Sequence, residues 1–123
     1  PSVTLNSDVP DVQPYLTRCG LMAVPLRIGG GSRLKILEAA AARTPVVSTT
    51  IGAEGLEFAA GRHYFGADGV DEMATVIVQV LNNPEASVEL TNSAYDAAAE
   101  QYAWSSIAGR QDRAWRETHH HAA

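Results

Sequence analysis

The sequence predicts an α/β fold in which two layers of helices enclose a parallel sheet, a three-layer α/β/α arrangement. Short apolar runs at 21–26 ("LMAVPL") and 46–49 ("VVST") are bounded by turn residues, as buried strands are. Between and after them lie segments rich in helix formers, so strands and helices alternate along the chain. Such alternation indicates right-handed βαβ crossovers and therefore a parallel sheet.

The first half of the chain is predicted to contain three strands and two helices. Residues 2–5 are β-prone, and a helix is expected from Asp11 to a stop at Gly20. Residues 21–26 form an uninterrupted apolar run, which predicts a strand buried on both faces. A helix is expected over 32–43 and the next strand over 46–49.

The second half is predicted to be mainly helical after one weak strand at 63–68. Apolar residues recur at helical spacing from Val70 to Leu81, which predicts an amphipathic helix. Pro84 suits the first turn of another helix that runs to about Tyr102. A last helix is expected from Trp104, with Ile107, Ala108 and Trp115 on one side.

Composition and charge restrict the classes of function. The 123 residues suit one domain, and 46% are hydrophobic, as in ordinary globular chains. The formal charge of −5 argues against nonspecific nucleic-acid binding, which needs a basic surface. The only cysteine, Cys19, excludes an intramolecular disulfide and favours a reducing, cytoplasmic setting. We expect it to be a small buried apolar residue at a helix end.

No targeting or membrane-spanning pattern is found in the sequence. No apolar run approaches the roughly 20 residues of a membrane span. The polar start carries no basic region of the kind that opens a signal peptide. Because the chain begins with Pro1 and not Met, we expect it to be a piece of a longer protein.

The most informative segment is "PLRIGGGSRLKILEAA" at 25–40, where three glycines precede a helix. Cations at Arg33 and Lys35 fall near the helix start, where the macrodipole is positive and acidic residues are usual. Exposed backbone N–H groups, the dipole and these cations would converge on an anion, and phosphate is the best candidate. The alternative is a tight turn with both cations solvated.

The residues that follow the three glycines exclude two common phosphate-binding motifs. Glu38, further along the same segment, is another candidate binding residue. Lys35 is followed by Ile36, so the P-loop pattern fails, and Leu34 occupies the place of the third dinucleotide-binding glycine. Glu38 lies in an apolar Leu-Ala run, about two helical turns after Gly31. A carboxylate there either reaches solvent or accepts hydrogen bonds from a ligand. The adjacent hydroxyls of a ribose would suit it.

The stretch "VPLRIGGGSRLKILEAAAARTPVVSTTIGAEGL" resembles the donor-binding half of group 1 (family 4-like) glycosyltransferases, which have the GT-B fold. The opening "VTLNSDVPDVQPYL" and the later "YAW" are similar to that family as well. The resemblance implies a Rossmann-like sheet in which Glu38 binds the ribose of a nucleotide-sugar. It also implies that the diphosphate meets the glycine turn. The residues expected around the phosphates are Arg27, Gly30, Gly31, Ser32, Arg33 and Lys35.

The chain departs from the family pattern at two positions. Many members have a second Glu eight residues before the ribose-binding one, and that position holds Gly30 here. The residue before Thr44 and Pro45, often a glycine that ends the helix, is Arg43. By this resemblance residues 1–123 are a single partial domain, without the acceptor domain and the start of the donor domain. We therefore expect the isolated chain to be catalytically inert.

The resemblance implies transfer of a hexose-type sugar from a nucleoside diphosphate sugar to an acceptor hydroxyl, with retention of configuration. The acceptor would be a glycan, a lipid or a small molecule, and peripheral membrane contact of the parent protein is compatible with it. No cofactor or metal is expected, since the sequence has no Asp-x-Asp pair and no Cys/His cluster. No catalytic residue is predicted. The alternative is a noncatalytic Rossmann-like nucleotide-binding or scaffold domain, which the absent Glu at Gly30 favours.

Three further polar features are open to more than one interpretation. Glu54, in "GAEGL", either lines the donor cleft or caps the short turn after the strand that ends at Thr49-Thr50. His63 is expected to be structural, because no partner lies near it in sequence. The histidine run at 119–121 is more typical of a tag remnant or a solvated tail than of a zinc site.

Overall fold

A computed structural model of the protein describes residues 2–31 and 33–121, with side chains as far as residue 118. Three strands form one sheet in the order β1-β2-β3: β1 (Met22–Val24), β2 (Val46–Ser48) and β3 (Phe65–Gly66). Both neighbouring pairs are parallel, with Met22 opposite Val46 and Val47 opposite Phe65. The prediction of an α/β fold with a parallel sheet is confirmed.

Five α-helices and one 3₁₀ turn surround this sheet in the described part of the chain. The helices are α1 (Gln13–Arg18), α2 (Leu34–Ala41), α3 (Val70–Asn82), α4 (Val88–Tyr102) and α5 (Trp104–His121), and the 3₁₀ turn is Pro84–Ser87. All of the helical segments predicted from the sequence are therefore present. In the described part of the chain, no helix is both long enough and apolar enough to cross a membrane.

The hydrophobic core has two parts, one on each face of the sheet. Two adjacent valines of β2 belong one to each part. Side chains alternate along a strand, so Val46 and Val47 point to opposite faces. Val46 packs with Ile36 of α2, while Val47 packs with Met73 of α3. Helices thus cover both faces of the central strand, as a Rossmann-like layered fold requires. The Val46 side also contains Leu16, Val24, Ala39, Ala53 and Tyr64, and the Val47 side Ala67 and Val80.

Arg43 closes helix α2 in the conformation that glycine usually supplies. Its φ is 53°, in the left-handed region, and the following Thr44 N–H donates to Ala39 O at 2.9 Å. The guanidinium lies 3.8 Å from the centre of the Tyr95 ring, and its Nε donates to Asn92 Oδ1 at 3.2 Å. These contacts with α4 offset the strain of a left-handed non-glycine residue.

Three expectations from the sequence are wrong. Residues 2–5 form no strand, and Val3 and Leu5 are exposed, because the segment pairs with no strand in the described sheet. Strand β1 is not buried on both faces: it is an edge of this sheet and Ala23 is exposed. Cys19 is also exposed, with its thiol 3.3 Å from Leu16 O, because α1 buries mainly Leu16.

Two helices begin later than their patterns predict. In each, a residue that was expected inside the helix lies before its first turn. Helix α1 begins at Gln13, and the carboxylate of Asp11 accepts the Gln13 N–H at 2.9 Å. Helix α2 begins at Leu34, with Arg33 in the N-cap position. The side chain of Arg33 turns back into the preceding loop, which places it in the candidate site.

Candidate functional site

The loops that follow β1 and β2 meet at the carboxyl edge of the sheet, where ligands of open α/β folds bind. Thr49, buried at the end of β2, joins them. Its Oγ1 donates to Leu26 O at 2.5 Å and accepts the Gly52 N–H at 2.9 Å. Its own N–H donates to Val24 O at 3.3 Å. One threonine therefore ties the glycine loop (residues 25–33) to the turn after β2.

Arg33 forms a second tie between the same two loops. Its Nη2 donates to Ile51 O at 2.9 Å and to Gly29 O at 3.3 Å, and its Nη1 donates to Gly30 O at 3.3 Å. Only 6% of the residue is exposed. The guanidinium thus lies inside the glycine loop and not on its outer surface.

The outer surface of the glycine loop is open backbone. Gly31 has a φ of 95°, a left-handed conformation that favours glycine, and both Gly30 and Gly31 are exposed. Apart from its chain neighbours, a Cβ added to either would meet no atom of the described residues within 4 Å. This loop leads directly into the N-terminus of α2, where unpaired N–H groups attract anions.

Lys35 and Glu38 of α2 line one cleft of about 440 Å³, and Lys35 lies one residue after the start of the helix that the glycine loop leads into. They lie three residues apart and so share a helix side. Lys35 is exposed and Glu38 is half-buried. The other residues of this cleft come from the segment before β2 and are largely apolar: Thr4, Leu5, Asn6, Val9, Val12, Tyr15, Leu16 and Met22.

Glu38 also borders a second cleft, of about 370 Å³, between α2 and α4. Leu34, Leu37, Tyr95 and Tyr102 line it together with small residues. Glu38 therefore lies between two mostly apolar clefts and lines both of them. A half-buried carboxylate in this position has few protein donors and is suited to accept hydrogen bonds from a ligand.

A protein family described as glycosyl transferases group 1 matches residues 1–83. The match covers more than half of the 123 residues and includes the sheet, the glycine loop and α2. The chain belongs to this family. No curated protein matches it. Membership supports a general role of this glycosyltransferase chain in glycosyl transfer and confirms the resemblance to group 1 glycosyltransferases that the sequence indicated.

The glycosyltransferase chain brings together some of the residues predicted for the donor site and separates others. Lys35 and Glu38 share a cleft that neither Gly30 nor Gly31 lines, and Arg33 is buried and bonded to the carbonyls of the glycine loop. Arg27 lines a different cleft of about 260 Å³, beside the first turn of α3. Ser32 lies outside the described residues.

Glu54 lines neither of the two clefts that Glu38 borders. Glu54 is exposed in the turn after β2, and no described residue hydrogen-bonds its carboxylate, so the capping alternative lacks its bond. The side chains of the run at 119–121 are outside the described set. Among the residues searched, no group of three His, Cys, Asp or Glu side chains could hold a metal ion.

Asp68 is a polar residue of this edge that the sequence analysis missed. Its carboxylate accepts the Thr50 N–H at 2.7 Å and the Thr50 Oγ1–H at 2.8 Å, and the backbone bond first and then the hydroxyl lower its pKa. The end of β3 is thereby joined to the end of β2. An Asp-Gly pair before a helix is a recognisable signal, because such residues favour turns and helix starts.

His63 stabilises the segment that follows the second loop. Its Nδ1 accepts the Ala59 N–H at 2.9 Å, and its ring lies 5.0 Å from that of Phe58. Tyr102 of α4 accepts the Glu57 N–H at 2.8 Å, which anchors the same segment. Burial, and secondarily the charge of Arg62, lowers the pKa of His63. The fold therefore favours the neutral ring.

We predict that protein stability falls as the pH drops below the ordinary histidine pKa of about 6.5. The unfolded chain then binds a proton that the folded ring resists, so the free energy of unfolding rises with pH across this window. Urea denaturation between pH 5 and pH 7.5 measures the slope. In His63→Gln the slope should be smaller, while Arg18→Gln should leave it unchanged. Equal slopes in all three proteins would contradict the prediction.

Proposed function

We propose that this chain is the donor-binding part of a GT-B glycosyltransferase and holds a nucleoside diphosphate sugar in the cleft that Lys35 and Glu38 line. The observation that supports the proposal is the placement of one cation and one carboxylate in a single largely apolar cleft, on the helix that follows the exposed glycine backbone. Its volume of about 440 Å³ is typical of small-molecule sites.

Each part of such a donor has a counterpart in the site. The nucleobase lies against the apolar wall, to which Val9, Val12 and Tyr15 contribute. Glu38 accepts hydrogen bonds from the ribose hydroxyls, a role that suits a half-buried carboxylate. The diphosphate lies toward Lys35, the glycine N–H groups and the N-terminus of α2.

The same groups stabilise the leaving diphosphate during transfer. When the bond between the sugar and the diphosphate breaks, negative charge accumulates on the phosphate oxygens. In this proposal Lys35, the backbone N–H groups and the helix dipole stabilise that charge electrostatically as it develops. The sugar then passes to an acceptor hydroxyl, with the retention of configuration that the family resemblance implies.

Calorimetric titration with UDP, GDP and ADP tests the donor assignment. One diphosphate should bind saturably, and Glu38→Ala should weaken it by about 1–3 kcal/mol because the ribose hydroxyls lose their acceptor. Inorganic pyrophosphate has no ribose, so its affinity should be the same in both proteins. Glu100→Ala, an exposed glutamate on α4, is the matched control. Equal weakening of the nucleotide and pyrophosphate would refute the ribose role of Glu38.

Gly30 supports a second candidate, a domain that binds the nucleotide without turnover. In many family members the equivalent position is a Glu, and here the exposed loop offers only backbone. The two functions differ in the parent protein. Donor hydrolysis that disappears in Glu38→Ala would support the enzyme, whereas nucleotide binding with no turnover would support the binding domain.

A further inference from the structure

We infer that Arg33 acts on a bound phosphate through the backbone, by orienting and polarising the amides of Gly30 and Gly31, and does not touch the phosphate itself. The inference rests on the proposed function and refines it, because the sequence alone suggests a direct contact. In this assignment Lys35 is a direct ligand and Arg33 is a positioning residue.

The burial and the bonds of Arg33 argue against a direct contact. The residue is 6% exposed and its two terminal nitrogens donate to three carbonyl oxygens, those of Gly29, Gly30 and Ile51. To reach a ligand outside the loop, the guanidinium would have to abandon these bonds. Moving this buried cation would break all three bonds and would loosen the tie between the glycine loop and the turn after β2.

Peptide geometry determines what these bonds do to the outer surface of the loop. In a trans peptide the C=O of one residue and the N–H of the next point in opposite directions, and the described chain has no cis peptide bonds. Because the carbonyls of Gly29 and Gly30 point at Arg33, the N–H groups of Gly30 and Gly31 point away from it. Among the described residues neither N–H has an acceptor, and no side chain covers either glycine.

The charge of Arg33 makes these two N–H groups stronger donors. In the described part of the chain, no carboxylate lies within 4.0 Å of the guanidinium, and its buried Nε has no partner. The positive charge is therefore compensated by carbonyl dipoles alone. A cation bonded to a peptide oxygen polarises that peptide, which strengthens the bond from its N–H to an anion on the other side. A buried charge is also weakly screened by salt.

Amide NMR spectra of the chain titrated with inorganic pyrophosphate test the inference. In the wild-type protein, the amide protons of Gly30 and Gly31 should move downfield on binding, while the guanidinium signals of Arg33 move little. Arg33→Lys keeps the charge but cannot span three carbonyls, so affinity should fall roughly tenfold. The glycine shifts at saturation should also shrink. A purely structural tie would change the affinity and leave the saturated shifts unchanged.

Two control variants and the wild-type spectra separate the outcomes. Lys35→Met should lower affinity and leave the saturated glycine shifts intact, and Arg18→Lys should change neither. If the Arg33 guanidinium signals move and the glycine amides do not, the inference is overturned while the phosphate site stands. If the wild-type protein binds no pyrophosphate, the phosphate site fails and the inference fails with it. The wild-type spectra decide the question even if an Arg33 variant does not fold.

Discussion

Replacing Ile36 with alanine should destabilise the fold by about 2–5 kcal/mol, a large part of the 5–15 kcal/mol typical of a domain. Ile36 is 1% exposed and packs where α2 meets the sheet, against Val24 of β1 and Val46 of β2. The shorter side chain would leave a cavity there, because the surrounding strands can close it only partly. Lys35 is its neighbour on α2, so a loosened helix should also weaken nucleotide binding.

Denaturation followed by far-UV circular dichroism measures this loss. Fluorescence is less suitable, because both tryptophans, Trp104 and Trp115, are largely exposed on α5. Leu34→Ala is the control: the residue is on the same helix but 57% exposed, and its loss should change stability by no more than about 0.5 kcal/mol. Ile36→Val should cost about 0.5–1.5 kcal/mol. A cost for Ile36→Ala no greater than that for Leu34→Ala would contradict the assignment of the core.

The elements of the fold follow from local patterns because their causes are local. Uninterrupted apolar runs identify β1 and β2, and the spacing of Val70, Met73 and Ile77 identifies α3. Burial of β1 depends instead on which strands lie beside it, and the composition of a run does not contain that information. This is why the exposure of Ala23 and the absence of a strand at 2–5 could not be read from the residues.

The candidate site shows the same division between local and distant causes. The three-residue spacing of Lys35 and Glu38 predicts one helix side, and both residues do line one cleft. The burial of Arg33 depends on Ile51 O, which is 18 residues away in the chain, and no pattern around Arg33 indicates that bond. A sequence shows that a cation is present near a glycine loop. Only the fold determines on which side of that loop it lies.

Gly52→Ala should destabilise the protein by about 2–3 kcal/mol, because it forces atoms together where the two loops of the site join. An added Cβ would lie 2.3 Å from Ser48 Oγ, 3.0 Å from Val24 Cγ1 and 3.1 Å from Thr49 Oγ1. Gly52 is not in the left-handed region, so the cost is steric and not conformational. Ser48 is fully buried and its hydroxyl donates to Thr49 O at 2.9 Å, so rotating it away breaks that bond and leaves the buried hydroxyl without its acceptor.

A double variant separates this steric cause from a general loss of glycine flexibility. Ser48→Ala removes the nearest atom, so Gly52→Ala should cost measurably less in that background than in the wild-type protein, and the two changes should not add. Gly109→Ala, inside α5 where a Cβ meets no described atom within 4 Å, should instead raise stability by about 0.5–1 kcal/mol, because alanine is the better helix former. The Gly52 N–H donates to Thr49, which ties the glycine loop to the turn after β2. Gly52→Ala alone should therefore also weaken the binding of pyrophosphate. Strictly additive costs would show that the contact with Ser48 is not what excludes a side chain at this position.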